Sequence, residues 1–160
     1  METIFKGKRI SLIIDQGKEI VLHPGAVVIL PIIDKDVILI QNRRPAVDAL
    51  LWELPAGTLE KEETPLSCAY RELEEETGYQ ARQMTPLFES YSTPGFTNEK
   101  LYFFLATGLS FVGQNLDAGE EIYVKKIGLQ DALLMVFDNT ICDLKTQTAL
   151  LFYKLQQRKI

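Results

Sequence analysis

GTLEKEETPLSCAYRELEEETGY, residues 57–79, places a packing face and a chemical face on one predicted helix. Thr64 is a suitable N-cap, Pro65 suits the first helical position, and Gly78 stands where helices commonly end in a left-handed residue, so a helix is predicted over about residues 65–77. At about 100° per residue, Glu72, Glu75 and Glu76 share one arc, while Leu66, Ala69, Tyr70 and Leu73 fill another of similar width. The second arc is expected to pack, leaving the first as a carboxylate cluster. Like charges three and four residues apart cost a helix roughly 0.2 to 0.5 kcal/mol per pair, so the cluster needs compensation. A divalent cation supplies it, because Mg²⁺ binds through a few carboxylates plus substrate phosphates and so lets an acidic protein hold an acidic substrate. Taken alone, a Glu-rich helix face is more often a solvated surface, and the residues around it must decide.

Composition narrows the classes. The chain has 160 residues, 46% of them hydrophobic, enough for one compact core, and a single domain over 1–160 is expected. A net charge of −5 argues against nucleic-acid or anionic-membrane binding, since neither polyanion is drawn to an acidic surface. Cys68 and Cys142 stand alone, with no CxxC or Cys/His cluster, which points away from a zinc site or a disulfide framework and toward a reduced cytoplasm. No run of 18 apolar residues is present to span a membrane, and METIFKGKRI lacks the apolar core of a signal peptide.

Outward from residues 57–79, the β-rich runs 8–14 and 18–22 around Asp15-Gln16-Gly17 predict an N-terminal hairpin within residues 1–23. The apolar runs 26–33 and 37–41 flank the turn signal Asp34-Lys35-Asp36 and read as strands buried on both faces. A polar connection (42–48) and a short strand (50–54) follow, and Pro55-Ala56-Gly57 is expected to break regular structure. Downstream, residues 86–92, 100–107 and 122–127 read as strands, with a Gly-rich acidic loop between the last two. Residues 129–137 and 143–158 read as helices, the latter capped by Asp143 with Leu144, Leu151, Phe152 and Leu155 on its buried side. This order fits an α/β fold with a mixed β-sheet between helices.

The wider pattern is Gly57, five residues, Glu63, seven residues, then Arg71-Glu72-Leu73-x-Glu75-Glu76-x-Gly78-Tyr79. It resembles the Nudix box at every defining position. With seven fixed letters at roughly 5 to 9% background each, chance occurrence is below about 10⁻⁷ per starting position, which sets aside the solvated-surface reading. The resemblance implies the family's α/β/α sandwich and a loop–helix–loop that presents Glu72, Glu75 and Glu76 to Mg²⁺ or Mn²⁺, with the carbonyl of Ala56 as a further ligand. Glu63 and Arg71 become partners that fix the ligands' rotamers through charge-assisted bonds.

Outside the box, His23-Pro24-Gly25-Ala26-Val27-Val28, Gln41-Asn42-Arg43-Arg44-Pro45, Glu53-Leu54-Pro55-Ala56-Gly57 and 92–99 (STPGFTNE) resemble the ADP-ribose pyrophosphatase and nucleoside diphosphate sugar hydrolase branch. Pro94 lies fifteen residues after Tyr79, near that branch's marker proline. The implied reaction sets an activated water on one phosphorus of ADP-ribose, releasing AMP and ribose 5-phosphate with two or three metal ions. By the same resemblance the base comes from the acidic loop, making Glu120 the first candidate, then Glu121, with Glu99 as runner-up, and the protein is expected to be a homodimer that uses its N-terminal strands. Arg43, directly after a buried strand, and Arg44 beside it suit phosphate because a guanidinium donates two parallel hydrogen bonds. Phe96 and Tyr91 are weighed between base stacking and core, His23 reads as structural, Trp52 as a core or subunit contact, and Cys68 has no assigned role. The rival expectations are hydrolysis of another nucleoside diphosphate sugar, a nucleoside triphosphate housecleaning pyrophosphatase, and a catalytically silent nucleotide-binding module.

Overall fold

The computed structural model describes residues 1–116 and 121–157. At the N-terminus, β1 (Glu2–Lys6), β2 (Ser11–Asp15) and β3 (Lys18–Leu22) form a separate antiparallel sheet in that order. The expected hairpin is β2–β3, turned by Gln16 and Gly17 at positive φ. Strand β1 was not expected. All five of its residues are exposed, so no buried alternation marks it in the sequence.

The main sheet is built from β4 (Ala26–Ile33), β5 (Asp36–Arg44), β8 (Tyr79–Tyr91), β9 (Lys100–Phe111) and β10 (Ile122–Gly128), in the order β10-β5-β4-β9-β8, with β6 (Ala49–Glu53) on β5 and β7 (Ala56–Thr58) on β4. Only β4 and β9 run parallel, so the sheet is mixed. Helix α1 (Pro65–Thr77) covers one face; α2 (Leu129–Phe137) and α3 (Leu144–Gln157) cover the other. The alternation of β4 feeds both layers. Val27 and Ile29 pack with Cys68, Ala69 and Leu73 of α1, whereas Val28 and Leu30 pack with Leu133, Ala149 and Leu150 of α2 and α3. Burial on two faces explains the uninterrupted apolar run, and the architecture is the expected α/β/α sandwich.

A local divergence positions the site. Strands β4 and β5 pair only at Ile32–Val37 and Ile33–Asp36, then splay, and the consecutive segments β6 and β7 fill the wedge by pairing with β5 and β4 respectively. Pro55 therefore interrupts the chain for one step only, and Ala56–Thr58 forms a short strand where a complete break was expected. The polar connection begins later than expected as well, since Arg43 and Arg44 lie inside β5 and only Pro45–Val47 forms a 3₁₀ turn. Strand β8 is far longer than the predicted 86–92. It tolerates Pro86 because it is an edge strand with its irregularity at Pro86–Phe88.

Helix α1 spans the expected residues, capped by a reciprocal Thr64–Ser67 box and ended by Gly78 at φ 74°. Its packing face is shifted: Leu66 and Tyr70 are largely exposed, and Cys68, Ala69, Leu73 and Thr77 are buried instead. In α3, Asp143 caps as expected by accepting the Thr146 N–H at 3.0 Å, but Leu144 and Leu155 are 65% and 57% exposed. The buried residues are Thr146, Ala149 and Leu150, of which the polar Thr146 and the small Ala149 are ranked by hydrophobicity alone below the outward leucines. Leu150→Ala is thus expected to cost about 2 to 5 kcal/mol and Leu155→Ala within roughly 0.5 kcal/mol of nothing, as read by urea unfolding.

Candidate active site

Ala56 and Gly57 lie on β7, against the face of α1 that carries Arg71, Glu72, Glu75 and Glu76. The contact is so close that a Cβ on Gly57 would stand 1.8 Å from the Glu72 carboxyl carbon. Gly57 is required here for space, since its φ is not in the left-handed region. Glu76, 5% exposed, accepts the Ala56 N–H at 2.8 Å and so ties the last turn of α1 to the strand.

Arg71 organises the remaining carboxylates. Its Nε and one terminal nitrogen donate to the two oxygens of Glu63 at 2.9 and 3.0 Å, a bidentate pair, and the other terminal nitrogen donates to Glu72 at 2.7 Å and to Glu75 at 2.9 Å. These bonds pull the Glu63 carboxyl from its ordinary 4.5 down to about 2, against the opposing effect of partial burial. Arg71 is correspondingly held protonated well above its usual range, first by the Glu63 bond and then by Glu72 and Glu75. The same surroundings push the Cys68 thiol up, through burial and then the charges of Glu63 and Glu72, in keeping with the absence of a role for it.

Among the described residues no three acidic, His or Cys side chains converge on one point as a ready cation site. The physical reason lies in these bonds: Arg71 stands between Glu72 and Glu75, and Glu76 is turned to a backbone N–H. The donor set nonetheless fits a divalent cation. Four carboxylates against one guanidinium leave an excess of negative charge, every donor is an oxygen, and the bare Gly57 leaves Glu72 room against the strand.

A cleft of about 1040 Å³ runs across this face. Its lining includes Ala56, Gly57, Glu72, Glu75 and Glu76, the residues Arg44, Asp143 and Lys145, and also His23, Tyr91, Ser92 and Glu99. Glu99 lies 3.7 Å from His23 Nε2, while His23 Nδ1 accepts the Gly25 N–H at 3.0 Å. The two arginines of β5 part company. Arg44 faces the cleft and grips Glu53 in two bonds of 2.6 and 2.7 Å, whereas Arg43 is more than half exposed, pairs with Asp48 and is not among the residues lining the cleft. Phe96 is 56% exposed and also off the cleft wall; its carbonyl accepts the Val21 N–H.

Glu120 lies outside the described residues. Glu121, exposed, just precedes β10. Gln114 Nε2 donates to the Glu76 carbonyl at 2.7 Å and to the Ile122 carbonyl at 3.4 Å, and the Asn115 N–H donates to the Glu75 carbonyl. Sequence reasoning missed Lys145 as a cleft-lining group and Glu53 as the buried carboxylate that Lys145 and Arg44 share. The signal for Glu53 was a lone charge inside the apolar run ALLWELPA (49–56), because a charge buried in a strand demands a partner. Lys145 carried no such signal.

A layered α/β/α fold whose carboxylate-bearing helix borders a cleft large enough for a nucleotide suits a reaction on an anionic substrate. Residues 22–134 match the NUDIX domain. Over 98% of its length the chain is 39% identical to an ADP-ribose pyrophosphatase of Bacillus subtilis (strain 168) and 35% identical to a methanol dehydrogenase activator of Bacillus methanolicus, covering 91% of each. It is also similar to a solved structure described as an ADP compounds hydrolase, with a TM-score of 0.82 at 21% identity over 99% of this chain and 91% of that one, a likeness of fold. The chain belongs to the NUDIX family and is a Nudix hydrolase.

Gly57→Ala tests the close approach. The obstructed atoms are the end of a flexible side chain, so the expected outcome is a folded protein with a nearly unchanged melting temperature but a displaced Glu72 and turnover lowered by roughly 10- to 100-fold.

Proposed function

We propose that the protein hydrolyses the diphosphate of ADP-ribose, with AMP and ribose 5-phosphate as products. The observation that carries this is the cleft, whose lining brings the carboxylates of α1 together with the cations Arg44 and Lys145 and with Tyr91, Ser92 and Glu99. Cation-binding carboxylates and cationic donors in one cleft of this size suit a diphosphate that carries a group at each end. The Bacillus subtilis relative, named for this substrate and matched over nearly the whole chain, supports the choice.

Glu72, Glu75, Glu76 and the Ala56 carbonyl would hold the cations, which we assign as two or three Mg²⁺, Mn²⁺ offering the same ligand chemistry. When bound they supply charge neutralisation on the diphosphate and acidify a water. The protein's own groups do the rest. Arg71 and Glu63 hold the rotamers of Glu72 and Glu75, Glu76 stays aligned through the Ala56 N–H, and Arg44 presents its free donors to a phosphate oxygen. Proton acceptance falls to Glu120 or Glu121, with Glu99 next in order. Arg43 and Phe96, both away from the cleft wall, are weaker substrate contacts than Arg44. We further assign the chain as one domain over 1–160, working in the cytoplasm as a homodimer whose contact includes residues 1–23; the exposed Ile4, Phe5 and Ile10 there support such a contact, and no helix of the described residues is long and apolar enough to cross a membrane.

Incubation with Mg²⁺ and a panel of ADP-ribose, other nucleoside diphosphate sugars, dinucleotides and nucleoside triphosphates, followed by chromatography of the products, tests the proposal. AMP should appear fastest from ADP-ribose, and Glu76→Gln should lower kcat on the order of 100-fold. Faster turnover of another sugar nucleotide overturns the substrate, pyrophosphate release from triphosphates favours the housecleaning reaction, and no turnover of any compound favours a silent binding module.

A further inference from the structure

Glu53 ends β6 at 1% exposure. Arg44 clasps both of its oxygens, and Lys145 Nζ adds a third bond at 2.6 Å to Oε2. Lys145 also donates to Asp143 Oδ1 at 2.9 Å, whose other oxygen accepts the Thr146 N–H and hydroxyl. The Thr146 hydroxyl oxygen in turn accepts the Leu54 N–H at 2.8 Å. This unbroken chain of bonds fixes the N-terminus of α3 to a point two residues before Ala56, so Lys145 is held in register with the acidic face. Burial pushes the Glu53 carboxyl up, but the Arg44 and Lys145 bonds outweigh it and leave it below its ordinary value.

Donor counting separates what the network needs from what it leaves over. A guanidinium has five N–H donors and an ammonium three. Arg44 spends two on Glu53 and Lys145 spends two on Glu53 and Asp143, which leaves three and one. Both side chains line the cleft, which Glu76 lines as well, and Arg44 feels the charge of Glu76. Glu53 is already matched by a bidentate arginine, and Asp143 caps α3 through its other oxygen. Neither carboxylate requires Lys145. Two cations paired with the buried Glu53 and with Asp143, which itself lines the cleft, can remain at its wall without adding net charge, and their remaining donors suit an anionic oxygen.

We propose that Lys145 is a substrate-contacting residue, a second cation that acts beside Arg44 on the diphosphate, with Glu53 as the positioning residue that holds both. The assignment rests on the reading of the cleft as a sugar-nucleotide site.

Calorimetric titration of ADP-ribose into the protein with Ca²⁺ in place of Mg²⁺ tests it, with chromatography confirming that binding is read without turnover. Lys145→Met should weaken Kd about ten-fold or more, the loss expected for one charge-assisted hydrogen bond, and Lys145→Arg should recover most of it. The double variant Glu53→Gln/Lys145→Met removes both charges and leaves no uncovered buried carboxylate. It should bind at least as weakly as Lys145→Met, because Arg44 loses its anchor as well. Wild-type affinity in the double variant, or an unchanged Kd in Lys145→Met, would reduce Lys145 to a neutraliser of Glu53 and overturn the assignment. Should Lys145→Met fail to fold, the double variant and Lys145→Arg carry the comparison. Wild-type protein that binds ADP-ribose but releases no AMP when Mg²⁺ is restored would instead overturn the proposed reaction, with Lys145 still judged on Kd.

Discussion

The arrangement depends on one guanidinium. Arg71 bonds Glu63 from the segment before α1 and Glu72 and Glu75 from α1 itself, and without a cation between them these carboxylates would repel across a single helical turn. The four bonds explain how a helix with Glu72, Glu74, Glu75 and Glu76 in five residues folds before any metal arrives. They also explain why the carboxylates do not converge. Arg71 takes up the place between Glu72 and Glu75, and binding a divalent ion requires only that side chains swing, since the backbone on both sides is fixed by β7 and by the capped ends of α1.

The rest of the fold serves to bring β7 against that helix. The splay of β4 from β5 makes a wedge that β6 and β7 fill, and the wedge carries Glu53 and Ala56 three residues apart, each anchored to a different layer. Ala56 faces α1 through Glu76, and Leu54 faces α3 through Thr146. Removing one partner from a buried ionic group costs about 3 to 5 kcal/mol, so the Glu53 network fixes the wall of the cleft as firmly as packing does. The cations, on β5 and α3, and the acidic face, on α1, are thus tied through Glu53 and Ala56 to the consecutive segments β6 and β7.

Much of this was legible in the sequence because it rests on local rules. Thr64, Pro65 and Gly78 bound α1 through capping chemistry that needs no tertiary information, and the apolar run of β4 signals a strand covered on both faces. The spacing of Gly57, Glu63, Arg71, Glu72, Glu75 and Glu76 identified the acidic face, although not the bonds that hold its members apart. What was not legible depends on partners distant in sequence. Lys145 meets Glu53 across 92 residues, Arg44 differs from Arg43 only in which side of β5 it occupies, and the inward face of α3 is set by Thr146 and Ala149 because the space against the sheet is small. Exposed β1 and the pairing of Ala56–Thr58 likewise follow from neighbouring strands.

The central claim is that the acidic face of α1 is a divalent-cation site in service of hydrolysis. Electron paramagnetic resonance of Mn²⁺ titrated into wild-type protein and into Glu72→Gln and Glu75→Gln, each with and without ADP-ribose, tests it most directly. The account predicts Mn²⁺ uptake by the wild type that tightens with the nucleotide and is weakened by roughly ten-fold or more in each variant. Equal Mn²⁺ uptake by all three proteins would place the cation elsewhere and contradict the account.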